Sequence, residues 1–152
     1  MKIEILSKTE AETKKIGALI AREIISRNKT VFISLRGDLG SGKTTFVKGL
    51  ARELKIKEDV TSPTFLIYKK YQGEAKLYHF DAYRINEGDL ENLRFKDILK
   101  KENSIIVVEW SENIKKSLPK KRIDIAFSFV SPKERKLIVE DNSGIISGSF
   151  SL

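Results

Sequence analysis

The sequence contains no cysteine, and only one histidine, one tryptophan, one methionine and three prolines. Without cysteine there is no disulfide framework and no thiolate metal site. No apolar run approaches the roughly 18 residues that a membrane span needs. The first ten residues, MKIEILSKTE, lack the apolar stretch of a secretory signal. There is no internal repeat, low-complexity tract or dividing linker. What is present is 152 residues, of which 40% are hydrophobic and 33% charged, which excludes a disordered or collagen-like chain. At about 100–200 residues per domain, one domain over 1–152 is expected, with the Gly/Ser-rich tail from Asn142 left without an element. The reading is a soluble protein of a reducing compartment, most simply the cytoplasm. Its net charge of +8 suits a partner that carries phosphate.

Hydrophobic periodicity predicts alternating strands and helices, then a run of strands. Lys2–Leu6 alternates as a strand. Ser7-Lys8-Thr9-Glu10 has the form of a capping box, and behind it Ile16, Ile20 and Ile24 mark an amphipathic helix to about Asn28. Val31–Leu35 reads as a buried strand, and Phe46, Leu50 and Leu54 as the apolar stripe of a helix from Lys43. Phe65–Tyr71 and Ala75–Phe80 read as a hairpin around Gln72-Gly73. Glu87–Lys101 is helix-prone. Ile105–Val108 is apolar throughout, as a strand covered on both faces of a parallel sheet is, and it ends in Glu109-Trp110. Ile123 to Phe129 alternates strictly and pairs with the run at Leu137–Val139 across Ser131-Pro132. The expected fold is α/β: a P-loop NTPase-like mixed sheet, with parallel core strands and antiparallel hairpins, flanked by helices.

Gly37-Asp38-Leu39-Gly40-Ser41-Gly42-Lys43-Thr44 fits G-x-x-x-x-G-K-[ST]. A chance match in a chain this long is on the order of one in a hundred, and here the loop also joins a predicted strand to a predicted helix. The chemistry explains the residue types. Backbone N–H groups can surround a polyphosphate only if the loop wraps tightly, which Gly37, Gly40 and Gly42 permit. The helix N-terminus beyond adds its positive dipole end. Lys43 can reach the β- and γ-phosphates, and the Thr44 hydroxyl can ligate Mg²⁺. The Asn-Lys-x-Asp element that reads guanine is missing, which favours ATP.

Such a site needs a carboxylate at the end of a neighbouring strand. Glu109 ends one strand and Asp81 another. One can hold Mg²⁺ while the other orients water or senses the γ-phosphate, and the sequence leaves the division open.

Four segments, GDLGSGKTTFVKGL (Gly37–Leu50), TSPTF (Thr61–Phe65), YHFDAYRI (Tyr78–Ile85) and VVEW (Val107–Trp110), occur in an order and at spacings that resemble the TsaE (YjeE) family of bacterial P-loop ATPases. The resemblance covers about residues 1–140. It implies a small α/β fold that binds ATP and Mg²⁺ and hydrolyses ATP slowly alone. It implies action with a TsaB–TsaD pair in transferring a threonylcarbamoyl group to the adenosine beside the tRNA anticodon. Carried over by position, Gly40, Ser41, Gly42, Lys43, Thr44 and Thr45 bind phosphates, Thr44 and Glu109 serve Mg²⁺, and Asp81 is needed for hydrolysis. Thr61–Phe65 forms a switch-like segment, and Thr9 and Arg135 lie near the base. Two departures stand out. Leu93-Arg94 occupies the place of a usual Leu-Gly pair, and Thr9 that of a frequent acid.

Other readings stay beside this one. His79 is read as a structural or a catalytic histidine, and Trp110 as packing or shielding the site. Arg84 is read as a cis arginine for the γ-phosphate or as the partner of acids at Glu87–Glu91. The basic pairs Lys69-Lys70, Lys100-Lys101, Lys115-Lys116 and Lys120-Lys121-Arg122 carry no aromatic interleaving and read mainly as solvated charge, some of it available to tRNA. Two rival functions are a small phosphotransferase, from Asp81-Ala82-Tyr83-Arg84, and an ATP-dependent switch without catalytic purpose.

Overall fold

A computed structural model describes residues 1–63 and 66–147. Its centre is one seven-stranded sheet in the order β1-β7-β6-β2-β5-β4-β3. The strands are β1 (Lys2–Ser7), β2 (Val31–Arg36), β3 (Tyr68–Gln72), β4 (Lys76–Asp81), β5 (Ser104–Glu109), β6 (Ile123–Phe129) and β7 (Arg135–Asp141). β2 runs parallel to β5 and β6, and β5 parallel to β4. The outer pairs β3–β4, β6–β7 and β1–β7 are antiparallel. This is the mixed sheet the periodicity predicts. Among the described residues no helix is long and apolar enough to cross a membrane.

Strand alternation sorts the core into two layers. Ile33 and Leu35 of β2, Leu77 of β4 and Ile105 and Val107 of β5 pack with helices α1 (Glu10–Arg27) and α2 (Lys43–Glu53). Phe32, Tyr78, Phe80, Ile106 and Val108 face the other way, onto short helices α3 (Asp89–Asn92) and α4 (Phe95–Leu99) and a 3₁₀ segment, Ser111–Ser117. The same period puts His79, Asp81 and Glu109 on the α1/α2 side. Register pairs Asp81 directly with Glu109 at the C-terminal ends of β4 and β5.

Two local readings need correction. The N-cap of α1 is Thr9, not Ser7. Thr9 Oγ1 accepts from the Glu12 amide at 3.1 Å, and the Glu12 carboxylate accepts from the Lys8 amide at 2.6 Å. Ser7 is the last residue of β1; its hydroxyl is buried at 2.7 Å from Thr13 Oγ1. The expected helix over Glu87–Lys101 is two helices, broken where Arg94 takes a left-handed conformation (φ 55°). That position asks for glycine, and a side chain there costs conformational energy. Arg94→Gly is expected to raise stability by roughly 0.5–1 kcal/mol, measured by urea unfolding with an unchanged m-value. The first predicted hairpin strand begins at Tyr68; Phe65 lies outside the described residues.

The tail contributes more than its composition suggests. Ile145 and Ile146 are buried, and Asp141 gathers the turn before them. Asp141 Oδ1 accepts from the Ser143 amide at 2.7 Å and from Ser143 Oγ at 2.5 Å; Oδ2 accepts from the Ile146 amide at 2.8 Å. Burial pushes this carboxyl upward, but the bonds from the Ser143 hydroxyl and the surrounding amides outweigh it and hold it below the usual value. A depressed carboxyl stabilises fully above its unfolded value, about pH 3.9, and that contribution disappears as pH falls through the folded value. Asp141→Asn is therefore expected to cost roughly 1–2 kcal/mol at pH 7. Thermal melts should show the gap to wild type narrowing below about pH 4.

Candidate nucleotide site

The loop after β2 wraps back on itself before α2 begins. Gly40 and Gly42 stand at φ 75° and 107°, in the region L side chains avoid. Gly37 is tighter still: a Cβ there would lie 2.7 Å from the Phe127 carbonyl and 2.8 Å from Ser41 Oγ. Helix α1 begins with a side-chain cap and two acids, Glu10 and Glu12. Helix α2 begins at Gly42 with no side-chain cap and no acid in its first turn. The positive end of α2 is left open to an anion from outside.

A cavity of about 380 Å³ opens at this end of the parallel strands. That lies within the range of small-molecule sites, roughly 300–1,000 Å³. Gly40, Ser41, Gly42, Lys43, Thr44 and Thr45 line it, together with Asp81, Glu109, Thr9 and Arg135. The fold thus brings together every predicted site residue except Gly37. Gly37 sits behind the loop and does not line the cavity; its carbonyl accepts from Lys43 Nζ at 2.5 Å.

Lys43 is almost wholly buried, 4% exposed. Its ammonium group donates to the carbonyls of Gly37 and Asp38, the latter at 3.0 Å, and stands 4.2 Å over the Trp110 ring. No carboxylate of the described residues is within ion-pair distance of it. Burial pushes its pKa down, against the pull of Glu109, Glu112, Asp81 and Asp38. A desolvated cation without a contact anion is a place where phosphate oxygens are stabilised.

The two acids have different neighbours. The Thr44 hydroxyl lies 2.9 and 3.1 Å from the two Glu109 oxygens, and His79 Nε2 is 2.5 Å from Glu109 Oε2. His79 is fully buried, and its Nδ1 has no hydrogen-bond partner among the described residues. Its contact with Glu109 ties the histidine to the site as a support for that carboxylate. Asp81 Oδ2 accepts from Ser62 Oγ at 2.9 Å and Oδ1 from the Tyr83 amide at 2.9 Å. Ser62 belongs to the expected switch-like segment Thr61–Phe65; Thr64 and Phe65 lie outside the described residues. Strain flanks both acids. Trp110, next to Glu109, has φ 57°, and Ile67, whose carbonyl accepts from the Asp81 amide at 2.7 Å, has φ 68°.

The carboxylate and hydroxyl of Glu109 and Thr44 form a hard oxygen pair suited to Mg²⁺. Among the described residues no cluster of three His, Asp or Glu side chains could hold a metal unaided.

Sequence reasoning missed Glu10, Thr13 and Lys133, which also line the cavity. They arrive through the packing of α1 and the β6–β7 turn against the loop, which leaves no local signature. Arg135 ties that turn to the loop: it donates to the Gly40 carbonyl at 3.3 Å and packs 4.3 Å over Phe129. Trp110 and Tyr83 line the cavity with ring centroids 4.9 Å apart; Arg84 is not among the lining residues.

Comparison with known proteins bears on the family and the fold. The family model described as "Threonylcarbamoyl adenosine biosynthesis protein TsaE" matches residues 7–137. The tRNA threonylcarbamoyladenosine biosynthesis protein TsaE of Treponema pallidum is 35% identical over 138 residues, 88% of this chain and 97% of the relative. Its Bacillus subtilis counterpart is 41% identical over 106 residues, 69% of this chain and 66% of the relative. The crystal structure of B. subtilis YdiB superimposes with a TM-score of 0.72 at 30% identity, covering 93% of this chain and 86% of that one. With the family matched over most of its length and the fold matched by a solved structure, the chain belongs to the TsaE family of threonylcarbamoyladenosine biosynthesis proteins.

Proposed function

We propose that this protein binds ATP with Mg²⁺ in the cavity above α2 and hydrolyses it slowly, in support of threonylcarbamoyl transfer to the adenosine next to the tRNA anticodon. The observation that carries the reading is the meeting of Thr44 with both oxygens of Glu109 at an uncapped helix N-terminus, with Asp81 beside them. The loop amides and Lys43 hold the phosphates. Thr44 and Glu109 would hold Mg²⁺, which when bound would neutralise phosphate charge. Asp81 orients the attacking water. Thr9 and Arg135 flank the base.

Slow turnover follows from the cations present. Arg84 does not line the cavity, and Arg135 is engaged by carbonyls of its own turn and by Gly40. An arginine supplied at the γ-phosphate accelerates such reactions by about 10³–10⁵. A partner of the TsaB–TsaD type is the proposed source of stimulation. The exposed apolar side chains Leu39 and Tyr83, which line the cavity, and Phe129 and Val130, on the turn that Arg135 ties to the loop, offer it a surface.

The test is mass spectrometry of tRNA nucleosides from cells depleted of the protein and complemented with wild type or Lys43→Ala. Threonylcarbamoyladenosine should fall on depletion and return only with wild type. Calorimetry with the purified chains should show Mg²⁺-dependent ATP binding that Lys43→Ala weakens at least about 100-fold. Unchanged ATP affinity in the variant would overturn the phosphate-site assignment.

A further inference from the structure

A second cleft, of about 460 Å³, is lined by residues of α1 and α2 and of the segment after α2, and shares no lining residue with the nucleotide cavity. Lys14, Lys48, Arg52 and Lys57 line it together with Glu58 and Asp59. Its charge is gathered by helix packing. A Cβ on Gly49 would lie 2.0 Å from the Lys14 carbonyl, and one on Gly17 2.3 Å from that of Phe46. The two backbones touch, so Lys14 of α1 comes beside Lys48 of α2, with Arg52 one turn further on.

None of the four cations has an ion-pair partner among the described residues, whereas Glu58 is already met from outside by Lys69 at 3.5 Å. Lys14 and Arg52 also line the adjoining groove with Lys15, where Glu10 and Glu53 stand among them. Four cations against two acids leave the cleft net positive, and an anion placed among the cations relieves their mutual repulsion.

We propose that this cleft seats the phosphate backbone of double-helical RNA. No aromatic residue lines it, so it has neither a platform for unstacked bases nor the anchor typical of a protein interface. The large exposed apolar side chains, among them Leu39, Tyr83 and Phe129, are not among its lining residues. Point charges on flexible stems suit backbone phosphates, which position a duplex without reading its sequence. One wall of the cleft, Lys57 to Thr61, runs directly into Ser62, which holds Asp81. The proposal goes beyond the nucleotide reading and does not need it, because its readout is RNA affinity without nucleotide.

The experiment is fluorescence anisotropy of an unmodified tRNA transcript with the full chain, titrated between 50 and 200 mM salt. The variant Lys14→Gln/Lys48→Gln/Arg52→Gln keeps the aliphatic stems. It should bind on the order of ten-fold more weakly at low salt, with a slope of log K against log salt shallower by about 2. Lys57→Glu, outside both helices, should weaken binding in the same direction. The control Lys100→Gln/Lys101→Gln/Lys115→Gln removes the same charge from α4, β5 and 3₁₀ surroundings and should stay within about two-fold of wild type. Equal losses in both triple variants would reduce the effect to net charge and overturn the proposal. So would failure of the wild-type chain to bind RNA at 50 mM salt. Displacement of the RNA by poly-glutamate at matched charge would overturn it in favour of an acidic protein surface.

Discussion

Asp81→Asn is expected to bind ATP within a few-fold of wild type and to hydrolyse it about 10²–10⁴ times more slowly, whereas Glu109→Gln is expected to lose the Mg²⁺ dependence of binding. Register places the two carboxylates side by side, so separation of their roles must come from their neighbours. Glu109 is bound to the first turn of α2 through Thr44 and is backed by buried His79. Both contacts bring donors to its oxygens, and a carboxamide would set its own N–H group against one of them. Asp81 instead accepts from Ser62 and from the Tyr83 amide, both on segments at the cavity wall rather than on the phosphate loop. In the proposed reaction this carboxylate, free of the phosphate loop, would orient the water. Calorimetry with and without Mg²⁺, paired with single-turnover hydrolysis, separates the two effects. If Asp81→Asn lost binding in proportion to hydrolysis, Asp81 would belong with the metal ligands. Unchanged Mg²⁺ dependence in Glu109→Gln would remove Glu109 from them.

The parts of this site legible in the sequence are those whose chemistry is local. The loop announces itself because its glycines, Lys43 and Thr44 must stand at fixed offsets. Asp81 and Glu109 are legible because each ends an apolar strand, and period-two alternation then fixes the face they share. What stayed hidden depends on contacts between distant elements. Ser7 matches a capping pattern, but its hydroxyl is committed to Thr13, so Thr9 caps α1 instead. The charged stretch from Glu87 reads as one helix by propensity, yet Arg94 turns left-handed so that Leu90 and Phe95 can both reach the core. Glu10 and Lys133 reach the cavity only because α1 and the last turn pack against the loop. That His79 Nδ1 is buried with no partner among the described residues is likewise invisible without its surroundings. Gly17 and Gly49 sit inside helical patterns where glycine is intrinsically poor, and that conflict is the one sequence sign of close helix contact.

That contact carries the largest expected effect on stability. In an exposed helix, Gly→Ala usually stabilises by up to about 1 kcal/mol. Gly49→Ala is expected to reverse the sign and destabilise by about 3 kcal/mol. The new Cβ would lie 2.0 Å from the Lys14 carbonyl oxygen and 2.7 Å from its carbon, so the obstacle is backbone and not a side chain that can rotate away. Relief requires α2 to move off α1, and that movement opens the layer in which Ile16, Ile20, Phe46 and Leu50 are fully buried. For a chain of this size about 3 kcal/mol corresponds to a melting temperature roughly 6–12 °C lower. Gly88→Ala serves as the comparison: its nearest neighbour is the Asn86 side-chain oxygen at 3.3 Å, and its backbone conformation is one any residue adopts. A melting temperature in Gly49→Ala equal to that of Gly88→Ala would show that the helices are not held in backbone contact. The effect should also reach the site, because α2 carries Lys43 and Thr44 at its start. A shift of that helix lengthens the contacts of 2.9 and 3.1 Å between Thr44 and Glu109, so nucleotide affinity should fall along with stability in Gly49→Ala and remain in Gly88→Ala.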